Sequence, residues 1–198
     1  MLKEMVRQIK PGLLILIFFT ILTGVIYPIL VTGIAQLVFP WKANGSIVEK
    51  NGHSIGSFLI GQSFTDPRYF YSRPSATSPF PYNGEASSGS NMGPSNPNFI
   101  ATVKERVSNF QKIDISNHLI PVDLVTASGS GLDPDISPYA AFYQAPRIAK
   151  LRNVPEDEIK QLIERLIQRR QFGILGEPRV NVLQLNLALD EFIVLQQQ

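Results

Sequence analysis

From Leu13 to Phe39 the chain reads LLILIFFTILTGVIYPILVTGIAQLVF, 27 positions dominated by Leu, Ile, Val and Phe. No charged side chain falls between Lys10 and Lys42. A helix of that length is about 40 Å long, against about 30 Å for a bilayer's hydrocarbon core. The pattern predicts a cytoplasmic tail over 1–11, a single transmembrane helix over 12–40 and one extracytoplasmic domain over 41–198. Lys3, Arg7 and Lys10 stand against Glu4 on the near flank, with only Lys42 close on the far one. This Lys/Arg excess places the N-terminus in the cytoplasm and the bulk outside. Gly33-Ile34-Ala35 has the form of a signal-cleavage triplet. More than 20 apolar residues precede it, where a secretory signal has about 7–15, so the segment reads as a retained anchor. Pro28 predicts a kink, and Thr20 and Gly24 form a small-xxx-small pair, so Thr20, Gly24 and Pro28 are candidates for packing against a partner helix. The span holds no Asp, Glu, Lys, Arg or His and offers no charged ion site or proton relay of its own.

Beyond the span the periodicity shortens. Ser46–Val48 and Ser57–Ile60 flank Lys50-Asn51-Gly52-His53, a β-hairpin signal. Of the 27 residues from Ser72 to Asn98, 19 are Ser, Gly, Pro or Asn. Their interleaved aromatics, with Tyr69-Phe70-Tyr71 just before, predict an ordered, irregular functional loop rather than a solvated linker. Asn96 and Pro97 start a helix with Phe99/Ile100, Val103, Val107 and Phe110 on one face. Leu119–Thr126 reads as a strand. Ser137-Pro138 opens a helix over 139–144, which Pro146 interrupts before a second short helix over 147–152. Asn153 and Glu156 have capping-box spacing. Ile159, Leu162, Ile163, Leu166 and Ile167 form the stripe of a helix that Arg165, Arg169 and Arg170 complement and Gly173 ends. Val180 begins a strand, and 186–195 fits strand or helix. The predicted fold class is α+β: one N-terminal transmembrane helix, then a single mixed, irregular α/β domain.

Charge narrows the partners. Removing Lys3, Arg7, Lys10 and Glu4 from the 18 basic and 16 acidic residues leaves 15 of each. A neutral external part lacks the basic face of a nucleic-acid binder. The absence of cysteine removes disulfides and thiolate metal sites. Asn44-Gly45-Ser46 matches a glycosylation sequon, too short a pattern to carry an argument.

The turn Ala127–Gly131 sits where phosphate loops and nucleophile elbows sit, yet it fits neither. Leu132 and Asp133 follow Gly131 where a phosphate loop needs Lys and Ser/Thr. Ser128 stands two before Ser130 where an elbow needs Gly. A nucleophilic Ser128 or Ser130 would need His53 or His118 as base, and a tight structural or binding turn is the plainer reading. Asp133 and Asp135 resemble the start of a calcium loop that Pro134 interrupts. Gln144 and Arg147 lie one helical turn apart, a pair able to take an anion or amide, with a surface or capping role as the bland alternative. No Asp-Lys-Thr-Gly sequence occurs, so the chain carries no aspartyl-phosphate site for ATP hydrolysis.

Several long segments together carry a resemblance: TGVIYPILVTGIAQ, GQSFTDPRYFYSRPSAT, YNGEASSGSNMGPSNP, VTASGSGLDPDISPYAAFYQAPRIAKLR and LGEPRVNVLQLNLALD. The chain resembles the C subunit of the bacterial high-affinity potassium-transporting ATPase, the Kdp complex, from about Gly24 to Asp190. The resemblance implies a non-catalytic accessory subunit in the bacterial inner membrane. Its implied partners are a channel-like potassium translocator, a P-type ATPase subunit and a small single-span subunit. Potassium and ATP/Mg are handled by those partners, and this chain binds no cofactor of its own. The implied role is that of a catalytic chaperone, which raises the pump's apparent ATP affinity and supports assembly. One version adds direct nucleotide contact through a glutamine that falls at Gln144. Candidate partner or nucleotide contacts are therefore Ser128, Ser130, Asp133, Gln144 and Arg147. The charge flanks place Gln144 outside the membrane, away from ATP. Coupling through the complex, with the external domain over the potassium entrance, is the preferred expectation. The competing class is a membrane-anchored extracytoplasmic enzyme or ligand-binding module.

Overall fold

The computed structural model describes residues 2–50, 52–113 and 119–196. The chain divides into two compact units, Met1–Ile47 and Val48–Gln198.

The first unit is a long helix. α1 (Leu2–Ile21) passes through a π-helical segment (Leu22–Ile26) into α2 (Tyr27–Val38). The stretch Arg7–Val38 is long and apolar enough to cross a bilayer. Proline lacks an N–H and its ring presses on the carbonyl four residues back, here that of Gly24. The irregularity expected at Pro28 takes the form of the π-turn, in which the Tyr27 N–H donates to Leu22 O, five residues back. Widening the ladder ahead of a proline is a common way to absorb it. Short α3 (Pro40–Ala43) follows, and Trp41 Nε1 donates to Ile47 O at 3.1 Å.

The second unit is mixed helix and strand. β1 (Ile47–Lys50) and β2 (His53–Ser57) form a two-stranded sheet, close to the expected hairpin; Asn51 of its turn lies outside the described residues. α4 (Pro97–Ile113) starts as expected, and Asn96 Oδ1 accepts from the Asn98 N–H at 2.9 Å.

Three expected elements are corrected. Leu119–Thr126 is no strand: Val122–Val125 forms the helical turn α5. Pro121 fixes φ at its start, and a helical turn lets consecutive Leu124 and Val125 both face the core, which a strand's alternation forbids. Pro146 does not split a helix. α6 runs unbroken from Pro138 to Arg152, with Ser137 Oγ accepting from the Ala140 N–H at 3.0 Å. Eight of its residues are buried, and that packing outweighs the roughly 3 kcal/mol an internal proline costs. The long charged helix α7 (Glu156–Leu166) ends well before Gly173. Ile167 turns extended and Gln168 exchanges backbone hydrogen bonds with Arg179, so Arg169 and Arg170 sit on a hairpin rather than at a helix end. Asn153 is the left-handed C-cap of α6, and Pro155 precedes α7.

The ambiguous C-terminal run is helical: β4 (Val180–Asn181) pairs antiparallel with β3 (Asp135–Ile136) and leads into α8 (Val182–Gln196). The core joins Leu124, Ile136, the alanines and Ile148 of α6, Ile159 and Ile163 of α7, and Leu185 and Leu189 of α8. Phe70, on an irregular segment, is fully buried among them.

Candidate functional site

The segment Pro67–Tyr71 has no regular structure, yet Phe70 on it is fully buried. Buried backbone groups need partners, and here side chains supply them. Asn186 of α8 accepts from the Phe70 N–H at 2.8 Å and donates to Phe70 O at 3.0 Å. Gln144 of α6 does the same for the next residue, with Tyr71 N at 2.8 Å and Tyr71 O at 3.3 Å. Each amide presents the donor and acceptor that a neighbouring strand would present. Arg147 completes the clamp: its guanidinium donates to Pro67 O, to Tyr69 O at 3.1 Å and to Gln144 Oε1 at 2.8 Å. It also lies over the Tyr71 ring, 4.4 Å from the centroid, an arrangement that favours a desolvated cation. Arg152 donates to Arg68 O at 3.1 Å and pairs with Asp190 at 2.9 Å.

Gln144 and Arg147 are therefore neither surface residues nor caps; each is 1% exposed. The remaining Gln144 amide hydrogen goes to Ala140 O at 3.2 Å, so both its donors and both its acceptor positions are engaged. Burial raises the Tyr71 phenol's pKa, and the Arg147 charge partly offsets this. Next door, the Arg68 hydrogen bond holds the Asp66 carboxyl down at about 2.

Ser128, Ser130 and Asp133 belong to a second junction, where the first part of the Ser72–Asn98 loop locks onto the turn after α5. Ser128 Oγ accepts from the Gly131 N–H at 2.9 Å and Ser130 Oγ from the Leu132 N–H at 3.1 Å. Both hydroxyls thus shape their own turn. His53 is an exposed residue of β2, and His118 lies outside the described residues. Across the junction, Ser75 Oγ donates to Gly131 O at 2.7 Å, the Ser88 N–H to Ser130 O at 3.0 Å, and the Gly61 N–H to Leu132 O at 2.8 Å. Tyr82 donates to Arg73 O, and burial pushes its phenol pKa up. Asp133 pairs with Arg73 at 3.0 Å and Asp135 with Arg179 at 2.9 Å. The two acids of the calcium-like motif are thus spoken for by arginines. Desolvation raises the Asp135 pKa, with Arg179 pulling it back.

Thr20 and Gly24 remain candidates on the span. Thr20 Oγ1 returns its proton to Leu16 O at 2.8 Å, as Thr23 Oγ1 does to Phe19 O at 2.7 Å. Gly24 lies inside the π-turn, four residues before Pro28, and a Cβ there would meet open space. The junction and the clamp thus gather Ser128, Ser130 and Asp133 in one place and Gln144 and Arg147 in another. Asn186, Arg73, Arg152 and Asp123, whose carboxylate accepts from the Ser137 N–H at 2.7 Å, carry as much of the architecture. Sequence reasoning passed them over because their partners are distant in the chain; a polar residue on an otherwise apolar helix face, as Asn186 is, was the one available signal.

The family model described as K+-transporting ATPase, c chain, matches residues 9–191. The potassium-transporting ATPase KdpC subunit of Methylococcus capsulatus is 59% identical over 187 residues, covering 94% of this chain and 98% of that one. The subunit of the same name from Polynucleobacter asymbioticus is 59% identical over 180 residues, 90% of this chain and 94% of its own. That of Herpetosiphon aurantiacus is 56% identical over 183 residues, with coverages of 92% and 95%.

Proposed function

The chain belongs to the KdpC family of potassium-transporting ATPase subunits, and from that premise we propose that it acts without catalysing hydrolysis, aiding assembly and raising the ATP affinity of another subunit. Membership makes it a membrane protein with partner subunits and an accessory role in potassium uptake. In the proposed arrangement a channel-like subunit moves potassium, a P-type subunit hydrolyses ATP with its Mg, and a small single-span subunit completes the assembly. The span docks through Thr20, Gly24 and Pro28. The domain after it lies outside the cytoplasm, near the potassium entrance.

What supports an indirect action on ATP is the state of Gln144. Its hydrogen-bonding groups are consumed by Tyr71, Ala140 and Arg147, so a nucleotide would have to dismantle the fold to reach it. The influence then passes through the complex as a coupling between its states. Purified complex with and without this chain tests the reading. Without it, the apparent KM for ATP in potassium-stimulated hydrolysis should rise about fivefold or more, the lower range of ordinary coupling energies. An unchanged KM, or hydrolysis by the isolated chain, would overturn it.

Orientation is tested separately. Position 144 is unsuited to labelling because it is buried. Lys104 is exposed on α4, and Lys104→Cys in this cysteine-free chain provides a single thiol. A membrane-impermeant maleimide should label it in intact spheroplasts. Labelling only after the cells are opened would place the domain in the cytoplasm.

A further inference from the structure

The long apolar helix has a gap in its hydrogen-bond ladder at Pro28. On one side of the gap the Tyr27 N–H reaches back to Leu22 O. On the other, Ile26 caps α2, and a cap's carbonyl takes the first bond of its helix, here from the Leu30 N–H. Between those two bonds stand the carbonyls of Thr23, Gly24 and Val25. Only the nitrogens of Pro28 and Ile29 remain in register with them, and proline has no hydrogen to give. One N–H faces three carbonyls, so two of them have no donor in the ladder. The nearby hydroxyls do not stand in: Thr20 Oγ1 donates to Leu16 O and Thr23 Oγ1 to Phe19 O.

Depth makes the gap consequential. The middle of the apolar stretch Arg7–Val38 falls between Leu22 and Thr23. At about 1.5 Å per residue the three carbonyls lie within about 4 Å of it along the axis. In a span that is the level where neither water nor headgroups offer donors, and lipid tails have none, so an unmet carbonyl is costly there. Any residue other than proline at position 28 would close the ladder. All three residues are exposed, and a Cβ on Gly24 would meet open space, so a neighbour can approach this backbone closely. A second parallel copy of the chain is a poor match. At that depth it brings Thr20, Thr23 and Tyr27, with both threonine protons already given away, and it brings its own unmet carbonyls as well.

We propose that a membrane helix of another subunit of the ATPase complex lies against the Thr23–Val25 turn and donates a side-chain hydrogen bond, from a hydroxyl or an amide, to these carbonyls. The proposal rests on the reading of Arg7–Val38 as a span that docks through Thr20, Gly24 and Pro28, and it adds what the partner must bring. A wholly apolar partner helix would pack on the same face and leave the acceptors unmet. Pro28 is then the residue that opens the acceptors, and the widened turn is where the two helices recognise each other.

The test uses the assembled complex in its membrane, with p-benzoylphenylalanine installed at position 27, where an exposed tyrosine already stands. Illumination should yield a covalent product with another subunit, on a segment carrying a hydroxyl or amide side chain within one helical turn of the crosslink. Crosslinks only to lipid, only to a second copy of this chain, to a segment without such a donor, or to nothing would overturn the proposal. In a second arm the partner's donor is replaced by an apolar residue of like shape, such as valine for threonine or leucine for asparagine. Co-purification of this chain should then fall about three- to tenfold. In a Pro28→Ala chain, position 28 regains its N–H and the ladder closes, so the same replacement should change nothing. Equal losses in the two backgrounds, or a loss in neither, would overturn the proposal. If alkaline carbonate strips the unmodified chain from membranes without detergent, the span reading fails and this inference with it. An embedded, co-purifying chain whose partner contact does not depend on Pro28 defeats this inference alone.

Discussion

Substituting methionine for Arg147 should destabilise the second unit by about 4 kcal/mol, a large share of the roughly 5–15 kcal/mol a domain has in total. The methionine would fill much of the volume, so packing is not the main loss. The carbonyls of Pro67 and Tyr69 would lose their donor inside the protein, and the Gln144 oxygen one of its two. Each unsatisfied buried acceptor costs roughly 1–3 kcal/mol, offset in part because a buried guanidinium no longer has to be desolvated. Urea unfolding of the full chain in detergent, followed by far-UV circular dichroism, measures this directly. Trp41 cannot serve as the reporter, since it belongs to the other unit. A midpoint unchanged from that of the parent chain would mean the clamp is dispensable.

The same geometry distinguishes two accounts of Gln144. If it holds Tyr71 as a strand partner would, Asn186→Ala should reproduce the Gln144→Ala phenotype in kind, with Gln144→Ala the costlier because its oxygen also serves Arg147. Asn186 does for Phe70 what Gln144 does for Tyr71. Both variants should lose stability first, and any effect on ATP affinity should follow the loss of folded chain. A Gln144→Ala chain as stable as its parent yet unable to raise ATP affinity would separate Gln144 from Asn186 and argue for nucleotide contact.

How far the chain could be read from its sequence depended on where each residue's partners lie. The long apolar helix was legible because its signal, an uncharged apolar run, lies wholly within the segment itself. The starts of α4 and α6 were legible because Asn96 and Ser137 cap the turns beside them. Local rules misjudged Pro146, because the fully buried neighbours Ala145 and Ile148 hold α6 together. They also misjudged the end of α7, which is set by Arg179, eleven positions past Gln168. Gln144 and Arg147 were singled out as a pair, and they are one. Their burial was invisible, because the carbonyls they serve lie 73 to 80 residues upstream. A helix with strong amphipathic contrast, such as α7, advertises its buried side; α6, with polar residues turned inward, conceals it.

Gly131→Ala should be the most damaging single-methyl change in the domain, at roughly 2–5 kcal/mol. Part of the cost is conformational: φ there is +68, and an L-residue in the left-handed region costs roughly 1–2 kcal/mol. The rest is steric. An added Cβ would stand 2.5 Å from Ser88 O and 2.7 Å from Thr77 Cγ2. Neither can yield cheaply. The Ser88 N–H is bonded to Ser130 O, and the Thr77 hydroxyl is bonded to Phe80 O, so moving either loosens the seam between the two loops. Overpacking of this kind costs roughly 1–3 kcal/mol. Gly129→Ala two residues earlier is the control, since its Cβ would meet nothing within 4 Å and its φ is unexceptional. Limited proteolysis should therefore cut the Ser72–Asn98 loop of the Gly131 variant well before that of the Gly129 variant, alongside a lower urea midpoint. Equal resistance of the two would show that the loop is not held by this seam, and would remove the reason for reading Ser128, Ser130 and Asp133 as architectural.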